Sequence, residues 1–401
     1  MLKKCTLYYK KIMLQTLKIN NFRGLKSFEL QQLGRVNLLV GTNNSGKTSI
    51  LEAIQLLCSP NNLEPLLETM TSRGEFSCND DNSKRIELDV SYLFDWDSNQ
   101  SECEFSIEGV KDRRKIQVVA SIGEIIANRE LNEKSDTRNK SDSMGNAPGI
   151  GNDSPVGNSL DDLKELAFTV EWTGSPDDSS LRLPLSSKRG LPVEYIRRLR
   201  INTKKSAVKT QFVTSSSLTT NKMIELFDQL VLTPEEELVE KALQTIDPQI
   251  ERIASVSLPR IVSSSSSDSR GGFVVRLSGS TQRVPIGSMG DGIWRMLGLA
   301  LATVCAKDGV LLVDEIDTGL HFTTMSDIWK LIWDTAKRLN VQVFATTHNS
   351  DCWTSLASIA SREDAAEDGI TIQRIEKGKG TSVAFTEREI VIAAERGIEV
   401  R

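Results

Sequence analysis

The sequence has six cysteines, Cys5, Cys58, Cys78, Cys103, Cys305 and Cys352, and no CxxC pair among them. Closely spaced cysteines are what a structural zinc site or a small disulfide scaffold requires, so their dispersal speaks against both. A reduced, cytoplasmic compartment is the expectation. Long apolar runs are missing too: the longest, residues 296–306, falls well short of the roughly 20 residues that cross a bilayer. No membrane partner is therefore expected. Positive charge is not in excess, since the net charge is −5, and any contact with DNA has to rest on a local patch. The basic N-terminus lacks an apolar core and a small-residue cleavage site, which excludes a secretory signal. Residues 1–12 are expected to be a tail or an over-long start, with strand alternation beginning after Met13. Internal repeats and sustained heptads are also absent, setting aside repeat folds and long coiled-coil arms.

What is present is a globular composition, 39% hydrophobic and 26% charged over 401 residues. That length suits one large α/β domain with insertions or two ordinary domains. Residues 14–33 read as two strands around Asn21-Phe22-Arg23-Gly24. Residues 36–40 read as a strand buried on both faces, followed by a glycine-containing loop and helical spacing at Ile50, Leu51, Ile54 and Leu57. Strand-like alternation spans 85–122 and returns at 166–172. Between them, 129–159 is rich in Ser, Asn, Asp and Gly, and a disordered surface insertion is expected. Residues 192–246 read as mostly helical, with a helix start at Thr233-Pro234-Glu235-Glu236: a Thr cap, Pro at the first helical position and Glu reaching back. The serine run at 263–267 reads as a loop before a strand at 273–277. Helix 289–305, buried strand 309–313, helix 323–339 and buried strand 341–345 then alternate, as a mostly parallel sheet requires.

Gly41-Thr42-Asn43-Asn44-Ser45-Gly46-Lys47-Thr48 fits G-x-x-x-x-G-K-[ST] throughout. Its glycines let successive N–H groups turn inward on phosphates, and the next helix presents its positive end to the same oxygens. Lys47 adds a point charge, and Thr48 is expected to ligate magnesium. Chance produces this pattern in about one chain of this length per hundred, and its position between a strand and a helix argues further against coincidence. The apolar strand ending in Asp314 and Glu315 delivers two carboxylates where ligands of open parallel sheets sit. Asp314 is expected to hold magnesium and Glu315 to polarise the attacking water. His348 ends a further buried strand and is expected to sense the terminal phosphate. His321 is open between a dimer interface and a bland surface role. Ser288-Met289-Gly290 precedes a long helix and could bind an anion, although a plain helix cap explains it equally well.

In this order the motifs resemble the ATPase heads of ABC, SMC and RecF-type proteins, and more closely the overcoming lysogenization defect (OLD) family. The carriers are Ile19-Asn20-Asn21-Phe22-Arg23-Gly24-Leu25 and residues 38–54, 284–302, 311–321 and 342–352. The resemblance implies an α/β P-loop NTPase with an ABC-type head: a mixed, largely parallel sheet flanked by helices, an N-terminal antiparallel β subdomain, and a helical and β insertion arm. On this division 13–128 is the N-terminal lobe, 160–262 a strand plus helical arm, and 263–401 the C-terminal lobe. It also implies a homodimer, or a higher oligomer, with two ATP molecules and magnesium between subunits. Gly41, Asn43, Asn44, Ser45, Gly46, Lys47, Thr48 and Ser49 of one copy would face Ser288 and Gly290 of the other. Asp317 would cross the interface, and Arg23 would lie near the nucleotide.

Two departures qualify the resemblance. Asp291 and Gly292 stand where transporter signatures have Gly and Gln, and no Q-loop glutamine can be placed. Many OLD chains carry a Toprim nuclease with a Glu and an Asp-x-Asp pair. Residues 349–401 read instead as helix, strand, strand, helix, and the acidic Glu363, Asp364, Glu367 and Asp368 lack that pattern, so no nuclease is expected. Three readings stand: an ATPase controlling a separately encoded nuclease or effector, with antiphage defence implied by resemblance alone; a RecF-like DNA-repair ATPase that clamps DNA; and a non-catalytic nucleotide-sensing scaffold, which would not need Glu315. The best local basic patch is Arg197, Arg198, Arg200, Lys204, Lys205 and Lys209, a DNA contact or a solvated face. If it binds phosphates, replacing these residues with alanine will weaken duplex binding and flatten its dependence on salt, as read by titrations at two ionic strengths.

Overall fold

The computed structural model describes residues 13–78, 86–94, 103–111, 113–124, 166–174, 178–186, 189–202, 209–256, 270–361 and 369–400, backbone only over 200–202. The expected tail at 1–12, the insertion at 129–159, the serine run at 263–267, the acidic cluster at 363–368, Lys204 and Lys205 lie outside them.

Strands β1 (Leu14–Phe22) and β2 (Leu25–Leu30) form an antiparallel hairpin closed at Arg23 and Gly24, both at positive φ. Strand β3 (Val36–Val40) follows, then the loop, helix α1 (Lys47–Leu57) and helix α2 (Glu64–Ser72). The chain continues through β4 (Phe76–Cys78), β5 (Ile86–Asp89), a 3-10 turn at Val90–Leu93, and the long strands β6 (Cys103–Lys111) and β7 (Arg114–Glu124). After them come β8 (Leu166–Thr173), β9 (Ser179–Pro184), β10 (Gly190–Pro192) and α3 (Val193–Asn202). The first large sheet is antiparallel, in the order β2-β1-β6-β7-β8-β9.

The second half supplies β11 (Thr210–Val213), α4 (Thr220–Asp228), α5 (Glu236–Ile246), β12 (Ile250–Ser255), β13 (Phe273–Leu277) and β14 (Arg283–Pro285). Helix α6 (Asp291–Cys305), β15 (Val310–Val313), α7 (Met325–Leu339), β16 (Gln342–Thr347), α8 (Ser350–Ala360), β17 (Ile370–Arg374), β18 (Val383–Phe385) and α9 (Glu387–Arg396) complete it. The second large sheet runs β11-β15-β16-β3-β17-β18, parallel except for β18. This is the expected α/β P-loop NTPase with an ABC-type head. Among the described residues no helix is long and apolar enough to cross a membrane.

The central strands are apolar throughout because both of their faces are covered. In β15, Leu311 and Val313 join one core while Val310 and Leu312 join the other, and β16 splits Val343 and Ala345 from Phe344 in the same way. The first core is closed by α4 to α9. The second holds α1, which touches β1, β6 and β7 on one side and β15 and β16 on the other. From Ile50 to Leu57 every residue of α1 is buried, Glu52 and Gln55 included. Trp172 of β8 fixes the far end of α1 by donating its indole N–H to Leu56 O at 3.2 Å.

Two expectations are corrected. The segment 160–262 does not stand apart as an arm: β8 and β9 extend the antiparallel sheet, and β11 pairs in parallel with β15, residue 210 against 310. A strand of only four residues was hidden in a stretch whose spacing read as helical. The helix expected from Thr233 begins at Glu236 with no side-chain cap. Thr233 Oγ1 donates to Leu230 O at 2.7 Å, and the Glu236 carboxylate accepts from Leu232 N at 2.9 Å, so both side chains serve the preceding turn.

Buried Asn37, the second residue of β3, uses its amide fully. Its Oδ1 accepts from Gly34 N at 2.8 Å and from the Thr371 hydroxyl at 2.9 Å, and its Nδ2 donates to Gly34 O at 2.9 Å and Val343 O at 3.1 Å. Leucine is nearly the same size and leaves those buried groups without partners. Asn37→Leu is expected to destabilise the protein by about 2–4 kcal/mol, measured as a lower urea midpoint.

Candidate functional site

Because β15, β16 and β3 are parallel neighbours, the loops that leave their carboxyl ends meet at one edge. The loop after β3 is shaped by glycine at two points. Gly46 has φ +95°, and a Cβ there would meet the Leu25 side chain at 2.9 Å. Gly41 has φ +148°, and a Cβ would collide with the Ile375 carbonyl, whose residue closes the end of β17 by donating its N–H to Val40 O at 2.8 Å. The N-terminus of α1 has no side-chain cap, so its first amides remain available to a ligand. Ser45 Oγ is buried with no partner. Lys47 Nζ folds back, donating to Gly41 O and Thr42 O at 2.8 Å each. Burial lowers its pKa, and Asp314 and Glu315 oppose that shift; a bound polyanion would oppose it further.

Asp314 lies at the centre of the edge. Thr48 Oγ1 donates to its two carboxylate oxygens at 3.2 and 3.1 Å, and Thr346 Oγ1 donates to Oδ1 at 2.6 Å. The Thr346 hydroxyl also accepts from Glu315 N at 2.8 Å. Glu315 adopts φ +47°, a left-handed conformation that costs a non-glycine residue about 1–3 kcal/mol. It ends the strand and turns the side chain toward His348, whose Nδ1 lies 3.8 Å from Glu315 Oε1. Asp317 accepts from the Thr347 hydroxyl at 2.6 Å.

Arg295 holds this strained segment and was not singled out in the sequence. It is 4% exposed on α6, and its guanidinium donates to Asp314 O at 3.0 Å, Glu315 O at 3.1 Å and Thr214 O. Burial lowers its pKa to about 10 against the pull of Asp314, Asp317 and Glu315, so it stays charged at neutral pH. Charge-assisted bonds of about 1.5–3 kcal/mol each are enough to offset the left-handed turn. The available signal was a lone charge beyond the first turn of a helix that is otherwise largely apolar around its circumference. Thr346 left a weaker trace, a hydroxyl at a strand end.

The structure thus brings Gly41, Ser45, Gly46, Lys47, Thr48, Asp314, Glu315, Asp317 and His348 to one edge. Asn43 and Asn44 are exposed on the loop and Ser49 lies on the first turn of α1. Arg23 borders an open cleft together with Asn44 and Ser49, and its Nη atoms donate to the two oxygens of Glu75 at 2.6 and 2.9 Å. Its Nε lies 2.6 Å from Glu52 Oε2, an ion pair whose angle is outside hydrogen-bonding range. Ser288 Oγ donates to Pro285 O at 2.7 Å, and Gly290, at φ +97°, caps α6 without a side chain. Asp291 pairs with Arg270. Among the described residues, neither Ser288 nor Gly290 hydrogen-bonds to the P-loop. His321 caps the turn at Phe322–Thr324. Arg197 and Arg198 are exposed on α3 and Lys209 precedes β11, so three members of the expected patch are on the surface.

Magnesium fits this donor set. Among the described residues no three His, Cys, Asp or Glu side chains gather into a metal cage. A hydroxyl and a carboxylate side by side are the hard oxygen donors of an ion that keeps several waters.

Residues 36–351 match the family described as "AAA domain, putative AbiEii toxin, Type IV TA system", and the chain belongs to it. An uncharacterized protein of Methanocaldococcus jannaschii is 38% identical over 92 residues, 20% of this chain and 42% of that protein. An ATP/GTP phosphatase of Helicobacter pylori is 21% identical over 375 residues, 88% of this chain and 90% of that one. The DNA replication and repair protein RecF of Nitrosococcus oceani is 61% identical over 41 residues, 10% of this chain and 11% of RecF. Among solved structures, the SMC head domain of Thermotoga maritima is similar at TM-score 0.44 and 13% identity, over 94% of this chain and 99% of that one. The family match takes in the P-loop at residues 41–48.

A lysine at position 295 cannot span three carbonyls as the planar guanidinium does. Arg295→Lys is expected to speed amide exchange across residues 314–320 more than elsewhere in α6, as read by hydrogen-exchange mass spectrometry.

Proposed function

We propose that this member of the family binds ATP with magnesium at the loop of residues 41–48, hydrolyses it, and closes head to head around it with a second copy. The observation that carries the reading is the edge where Lys47, Thr48, Asp314, Glu315 and His348 converge from three adjacent parallel strands. Magnesium, when bound, supplies positive charge to the oxygens of the transferring phosphoryl group. The chain's own groups do the rest. The loop amides and the start of α1 hold the phosphates, and Lys47 exchanges its two carbonyl partners for phosphate oxygens. Thr48 and Asp314 would hold the magnesium ion through their hydroxyl and carboxylate oxygens. Glu315 takes a proton from the attacking water, and His348, beside it, contacts the terminal phosphate.

Ser288 and Gly290 are proposed to complete the site from the second copy, a reading compatible with the fact that, among the described residues, neither hydrogen-bonds to the P-loop of its own chain. Asp317 is proposed to meet the partner once released from Thr347. The OLD-like role, control of a separate nuclease or effector in antiphage defence, rests on the motif order and remains a proposal. A DNA-clamping role like that of RecF is favoured by the short, strong RecF similarity and by the exposed Arg197 and Arg198. Copurification of a nuclease supports the former, and ATP-dependent retention of DNA the latter.

Glu315→Gln keeps the shape and removes the base. Turnover is expected to fall by about two to four orders of magnitude while ATP binding persists, and sedimentation should show an ATP-dependent dimer. Turnover at the wild-type level would remove Glu315 from the mechanism.

A further inference from the structure

Strand β16 ends in two buried hydroxyls, Thr346 and Thr347. Thr346 is not among the groups proposed to touch phosphate, metal or water, yet it is bonded to two residues that are. Its Oγ1 donates to Asp314 Oδ1 at 2.6 Å and accepts from Glu315 N at 2.8 Å. Chemistry fixes the polarity of this pair of bonds. A backbone N–H can only donate and a carboxylate can only accept, so the single hydroxyl hydrogen lies toward Asp314.

The placement of the hydroxyl is fixed too. Residue 346 pairs with Leu39 of β3, its side chain has no exposed surface, and β-branching leaves χ1 little freedom. Its carbonyl accepts from Ile316 N at 3.0 Å. One residue of β16 therefore meets three consecutive residues, 314, 315 and 316, where the chain leaves β15. Of the two Asp314 oxygens Thr346 engages Oδ1, whereas Oδ2 is met by the Thr48 hydroxyl at 3.1 Å. The bond from Thr346 thus sets the rotation of the carboxylate and keeps Oδ2 toward the P-loop helix.

Resting on the ATP and magnesium reading above, we propose that Thr346 is a positioning residue that couples the metal site to the base. Its hydroxyl orients the Asp314 carboxylate for the ion, and the same oxygen anchors the N–H of Glu315. Arg295 grips this turn through backbone carbonyls alone. Thr346 is the contact that joins the turn to the metal-binding side chain. Hydrogen bonds in series polarise one another, so a change at the Asp314 carboxylate is felt at the backbone that aims Glu315.

Valine has the shape of threonine without the hydroxyl, and serine keeps the hydroxyl without the methyl group. Wild type, Thr346→Val and Thr346→Ser are compared by titration calorimetry with ATP, in magnesium and in EDTA, and by amide hydrogen exchange of the nucleotide-free protein. The valine variant is expected to lose about tenfold of the affinity that magnesium adds to ATP binding. It should bind ATP in EDTA as wild type does and exchange the amides of residues 314–316 faster, while the serine variant behaves as wild type in all three. A wild-type magnesium effect in Thr346→Val, equal losses in the two variants, or a loss in EDTA as large as that in magnesium overturns the coupling and leaves the P-loop reading standing. Failure of the wild-type protein to bind ATP removes both.

Discussion

The Asp314 carboxylate is the contact on which the candidate site depends. It receives hydroxyl hydrogens from Thr48, at the start of α1, and from Thr346, near the end of β16. It is itself carried at the end of β15, whose register is fixed against both β11 and β16. One side chain therefore joins the P-loop helix to two neighbouring strand ends. This works only while β15, β16 and β3 stay in parallel register, because a slip of one residue would move every side chain to the opposite face. The two cores prevent such a slip. Each strand divides its apolar residues between them, and a shift would exchange the two sets.

The same edge stores backbone strain. The left-handed turn at Glu315 directs its carboxylate toward His348, and such a turn persists only where its surroundings over-determine it. Here three groups do so: the Thr346 hydroxyl on its N–H, Arg295 on its carbonyl, and Thr318 N on the same carbonyl at 3.0 Å. Arg295 belongs to α6, whose first turn carries the Ser288 and Gly290 segment just ahead of it. A rigid helix thus connects that segment to the backbone that aims Glu315.

A second concentration of buried charge explains the placement of Arg23. Glu52 on α1 is 5% exposed, and burial raises its pKa against the lowering influence of Arg23 and Arg73. Leaving that carboxylate unpaired inside the protein would be costly. Arg23 and Arg73 are therefore held by Glu52 and Glu75, which ties the β1–β2 hairpin turn to α1 and to the start of β4. The Arg23 guanidinium also borders the open cleft lined by Asn44, Ser49 and Tyr92, without being free of its carboxylates.

The sequence by itself determined the features whose signal is local. The P-loop pattern, the apolar strands that precede Asp314 and His348, and the strand–helix alternation all follow from backbone requirements within a few residues. What needed tertiary structure was pairing across long separations. The strand at Thr210–Val213 exists because β15 offers it a parallel edge a hundred residues later. Arg295 became a positioning residue only when α6 met the strand end, and Arg23 is held by Glu52 and Glu75 because a buried acid on α1 needed neutralising. Local pattern fixes which groups can do chemistry; long-range packing and the cost of burying charge decide where they point.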